Sequence, residues 1–84
     1  MNIKFQNPGI YRIVIQGGIS QRWVNQFAEY IIAQEKVGED NFKTNLKMKI
    51  MDQSHLSGIL NSLYDMHMTI IEIKMIESIQ NNNV

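Results

Sequence analysis

Cysteine is absent from this chain of 84 residues. Neither a disulfide nor a thiolate metal site can therefore brace the fold, and the lack fits a reducing compartment. Charge of one sign is also missing, because eight basic and eight acidic residues cancel. That balance removes any bulk attraction to polyanions such as nucleic acid. No apolar run approaches the roughly 18 residues a spanning helix needs, and no signal-peptide pattern opens the chain. The expectation is a soluble, cytoplasmic protein with no membrane partner. Proline occurs once, at Pro8, where Pro8-Gly9 reads as a turn after a short lead-in.

What is present is periodic. Residues 1–79 read as one small domain, and Gln80-Asn81-Asn82-Asn83-Val84 as a polar, disordered tail. The strongest signal is Leu56, Ile59, Leu60 and Leu63, spaced i, i+3, i+4, i+7 along one helical face. Asp52 stands ready as its N-cap. Gly58 falls inside this helix at a cost of about 1 kcal/mol, which the close approach of a neighbour would offset. His67 marks the exit, where a left-handed residue is expected. Phe42, Thr44, Leu46, Met48 and Ile50 alternate with Lys43, Asn45, Lys47 and Lys49, the period of a half-buried strand.

Two further strands flank these elements. Ile10–Gln16 should point Tyr11, Ile13 and Ile15 to the core and Arg12, Val14 and Gln16 away from it. Thr69–Ile76 should point Ile71, Ile73 and Met75 inward, with Ile70, Glu72, Lys74 and Ile76 outward. Ser20 caps a first helix, with Ile19 and Val24 as a hydrophobic staple and Trp23 and Phe27 on its buried side. Residues 29–36 keep helical spacing but are read as a strand leading into a turn at Val37-Gly38-Glu39-Asp40-Asn41. The order β-α-β-β-α-β predicts an α+β, ferredoxin-like fold, a four-stranded antiparallel sheet with two helices on one face. A helix at 29–36 would leave three strands instead.

Three pieces carry a resemblance: Tyr11-Arg12-Ile13 running to Gly17, then Trp23 with Phe27, then Asp52-Gln53 with Leu56, Gly58 and Leu60. Together they resemble small uncharacterised bacterial proteins of about this length, over roughly residues 9–77. Their shared residues are structural, so the resemblance implies a fold and no activity. His67 stands where these proteins usually have glycine, and residues 28–43 form a longer hairpin region than usual.

Catalytic patterns are sparse. His55 and His67 flank a helix about 18 Å long and cannot share one metal within a chain. Ser20, Ser54, Ser57 and Ser62 have no evident base and acid for nucleophilic chemistry. Gly17-Gly18 before a helix, with Arg22 nearby, resembles acylphosphatases, but the longer glycine loop and the partner asparagine are missing. A hydrolase is therefore the weakest reading. No catalytic, cofactor or metal residues are assigned, and no cofactor is expected.

The open face of the sheet holds the candidate site. It should carry Arg12, Lys43, Lys47, Lys49 and Lys74, with Val14, Ile70 and Ile76 among them. Five of the eight basic residues would converge there, as an interface or an anion-binding face. RNA-recognition motifs share the fold but stack bases on aromatics, and here Tyr11 and Phe42 are phased to the core. A chain this short buries only about 60–65% of its unfolded surface, so a second copy is a natural source of further burial. The sequence points to a non-enzymatic homodimer acting on a protein or small-ligand partner. The alternative is RNA or polyanion binding, with nucleic acid the less favoured partner.

Overall fold

A computed structural model describes residues 8–79 of the chain. Its elements run β1 (Gly9–Gln16), α1 (Gln21–Gln26), a 3-10 turn (Ala28–Tyr30), β2 (Ile31–Val37), β3 (Lys43–Ile50), α2 (Gln53–Asp65) and β4 (Ile70–Ser78). The four strands form one antiparallel sheet in the order β2-β3-β1-β4. This is the ferredoxin-like arrangement, with residues 31–37 as a strand. The polar tail at 80–84 and most of the expected lead-in lie outside the described residues.

Each helix starts on the cap its sequence supplies. The Ser20 hydroxyl accepts from the Trp23 amide at 3.2 Å. The Asp52 carboxylate accepts from the His55 amide at 2.8 Å and from the Ser54 hydroxyl at 3.0 Å. Those two bonds hold the Asp52 carboxyl below its ordinary pKa. α2 ends through His67, whose φ of 58° is the expected left-handed exit. α1 is only six residues long, so α2 supplies most of the helical cover.

The core lies between that helix and one side of the sheet. Leu56, Ile59, Leu60 and Leu63 of α2 pack on Tyr11, Ile13, Ile15, Leu46, Met48 and Ile50 of the central strands. Trp23 closes one end of this layer, 2% exposed. Its indole N–H donates to the Ser62 hydroxyl at 2.8 Å, and that hydroxyl donates to the Ile59 carbonyl at 2.6 Å. Burying Trp23 thus leaves its one polar atom paired. Thr44 is the buried polar residue of β3, and its hydroxyl donates to the Gly17 carbonyl at 2.6 Å.

Four expectations are corrected. Gly9 belongs to β1 rather than to a turn. A Cβ there would run into the Glu77 carbonyl and the Met75 side chain, so β4 requires glycine for its close approach. Gly58, by contrast, faces open space, and no neighbour offsets its cost. Phe42 lies just ahead of β3, half-buried, with its ring edge against Gly18 and the Lys36 ammonium 4.4 Å from its centroid. Finally, β4 changes phase. Its register on β1 skips Ile71, between Val14↔Glu72 and Ile15↔Ile70. The extra residue turns Ile70 onto the core and leaves Ile71 exposed, as a β-bulge does.

Candidate interaction face

The strand register lays out the uncovered side of the sheet row by row. Lys47 of β3 lies opposite Arg12 of β1, which lies opposite Lys74 of β4. Ala33 of β2 extends this row beyond Lys47. The next row is Glu35, Asn45, Val14 and Glu72, and beyond it come Val37, Lys43 and Gln16. On the other side Lys49 faces Ile10, and Ile10 faces Glu77. All five basic residues expected on this face are therefore brought together on it. Of the apolar residues expected there, Val14 and Ile76 are present and Ile70 is not.

Three cations side by side on neighbouring strands repel one another. The face relieves only the middle one. Arg12 holds Glu72 through two nitrogens on the same carboxylate oxygen, Nη2 at 2.7 Å and Nε at 2.8 Å. The two side chains remain 35% and 43% exposed, so the pair positions Arg12 more than it stabilises the fold. Lys43, Lys47, Lys49 and Lys74 have no carboxylate within ion-pair distance among the described residues. Between these groups lies a shallow dish of about 290 Å³, lined by Arg12, Ala33, Glu35, Asn45, Lys47 and Ile76. It offers two cations, one carboxylate, one amide and two apolar walls. Sequence patterning placed the cations on one face, but the dish depends on the register of all four strands and carries no motif.

The remaining candidates lie on the two helices. Arg22, considered for an acyl-phosphate site, lines a separate hollow of about 460 Å³ with Ser20, Trp23, Gln26, Ser62, Asp65 and Met66. Two of those polar groups, Ser20 and Ser62, are engaged as described above. His55 packs its ring on Tyr30, centroids 3.8 Å apart, and its buried Nε2 has no hydrogen-bond partner among the described residues. The described residues include no cluster of three or more His, Asp or Glu side chains placed to hold a metal. None of their helices is long and apolar enough to cross a membrane.

No curated protein and no solved structure gives a significant match to the chain. The family model described as "Domain of unknown function (DUF8691)" matches residues 10–74, from the first strand into the last. That span contains the sheet's centre, both helices and all five basic residues of the open face, so the chain belongs to the DUF8691 family.

Proposed function

We propose that the domain is a non-enzymatic interaction module, a homodimer that meets a protein or small-ligand partner through the open face of its sheet. The observation that carries this reading is the mixed chemistry of that face. Ile10, Val14 and Ile76 sit among charges of both signs around the dish, with Arg12 held in place by Glu72. A fixed cation beside apolar walls and free lysines provides the elements of a recognition surface. The groups suited to nucleophilic chemistry are instead used in caps and packing, as Ser20, Ser54 and Ser62 are. Support for pairing comes from the edges. Ile32 and Val37 on β2 and Ile71 and Ile76 on β4 are all more than a third exposed, and a second copy would remove some of this surface from water. Size-exclusion chromatography with light scattering tests the pairing. Twice the chain mass is expected, and a chain-mass particle at every concentration would sink it.

A second reading rests on the Lys47–Arg12–Lys74 row and the unpaired lysines around it. Net neutrality hides this grouping, which suits the phosphate backbone of RNA or another polyanion. Binding would then weaken steeply with salt and disappear when Lys43, Lys47 and Lys49 are all changed to Glu. Affinity independent of salt would exclude this reading and leave the first.

A further inference from the structure

We infer that two copies join edge to edge through β2, antiparallel about a two-fold axis beside Gln34, to form one eight-stranded sheet. This rests on the homodimer reading and names its seam.

The sheet has two edges, and they differ in their capacity to accept another strand. β4 is interrupted twice, since its register on β1 skips Ile71 and again Ile76. Bulges spoil the even row of outward amides and carbonyls that a new strand needs. Only Glu72 to Met75 runs unbroken there. β2 has one skip, at Ile32, and then runs unbroken from Ala33 to Val37. It is also the strand the chain leaves most in water, with Ile31 half-buried and the other six residues exposed. Ile32 is 51% exposed and Val37 45%, so apolar side chains stand bare near both of its ends.

The residues of β2 also select a register. A two-fold axis normal to the sheet keeps helices with helices and open face with open face. Away from the skip at Ile32 each residue then lies opposite one of the same face, and a single residue meets its own copy at the axis. Centring on Glu35 would oppose two carboxylates, and centring on Lys36 two ammonium groups, which cross-strand pairs avoid. Centring on Ala33 gives up two residues at the Val37 end. Gln34 is the midpoint of Ile31–Val37, so that centre keeps all seven residues beside the other copy, with the regular pairs running through Ala33, Gln34 and Glu35 and the skip at Ile32 falling beside Lys36. It sets the two amides against each other, Ala33 against Glu35 and Val37 beside the Ile31-Ile32 end of the other copy. No like charges meet. The two open faces would become coplanar, with a Lys47–Arg12–Lys74 row on each side of the seam.

The lack of cysteine makes the test clean. Gln34→Cys places two thiols directly across the axis, with Cβ atoms roughly 4.5–5.5 Å apart. Mild oxidation or a short bis-thiol reagent is expected to link most of the Gln34→Cys protein, and little of an Ile71→Cys protein on β4. Ala33→Glu faces Lys47 inside its own chain but Glu35 of the other copy at two places. It should raise the dimer dissociation constant about tenfold without lowering the melting temperature of the monomer. A wild-type dimer that links through Ile71→Cys and not Gln34→Cys would overturn the seam while leaving the dimer in place. So would an unchanged dissociation constant for Ala33→Glu. A wild-type chain that is monomeric throughout removes the pairing and the seam together.

Discussion

The two sides of the sheet are built from the same strands and have opposite chemistry. On β1, Ile13 and Ile15 are fully buried, while Arg12 and Val14, which alternate with them, stay partly in water. On β3, Leu46, Met48 and Ile50 are buried to the last atom, and Lys47 and Lys49 are exposed. A period of two thus sorts one face into a packed layer and the other into a charged surface. The buried side has little freedom to change, because its atoms interdigitate at crystal-like density. The open side carries no such constraint, so its three-cation row is not explained by folding.

Shortening adjacent residues on β1 should separate the two faces most strongly. Ile13→Ala removes buried carbon from the core and is expected to cost about 2–5 kcal/mol in chemical denaturation. Val14→Ala, one residue on, should cost well under half as much, and equal losses would mean that the open face is packed too. Next in size is Gly9→Ala, whose new methyl group meets the Glu77 carbonyl and should destabilise by about 1–3 kcal/mol. The helix supplies the converse. Gly58→Ala enters open space on the outer side of α2 and should stabilise by about 1 kcal/mol. A loss there would show that another surface covers that side.

Smaller effects test the open face and the helix start. Lys47→Glu replaces a like-charge neighbour of Arg12 with an attractive one and should raise stability by a few tenths of a kcal/mol to about 1. A clear drop in melting temperature would show that the lysine has a structural partner. Asp52 has a lowered pKa because the His55 amide and the Ser54 hydroxyl bond to its charged form. Its charge therefore adds stability that is complete above the unfolded carboxylate range and is lost as pH falls through the lower folded value. Asp52→Asn keeps a capping oxygen and should flatten that acid limb slightly, with little change near neutrality.

Much of this division was legible in the sequence because periodicity reports burial directly. The alternation from Thr44 to Ile50 and the four apolar residues of α2 landed as expected, and so did both caps. β2 was legible for another reason, as the strand needed to pair with β3. What escaped reading was anything set by pairing between distant segments. Ile70 and Ile71 are chemically alike, so nothing local says which one the bulge expels. Gly9 and Gly58 differ only in what approaches them, β4 in one case and water in the other. The same holds for the site. Composition gave a neutral chain, and alternation put five cations on one face. Only register aligned Lys47, Arg12 and Lys74 in a row and made the dish beside it.

The place of β1 at the centre of the sheet has a consequence for how the chain folds in time. β1 is the first strand in sequence, yet it pairs with β3 and with β4, so Arg12 waits for Lys74. Pairings this far apart in sequence carry a loop-closure cost that is met before any contact forms, and they slow folding. During synthesis the α2–β3 half is made while β1 still has one bare edge. The apolar side of β1, with Ile13 and Ile15, is completed only when the last strand arrives. A nascent chain stalled before Ile70 is therefore the species in which this sheet is most open to joining the wrong partner.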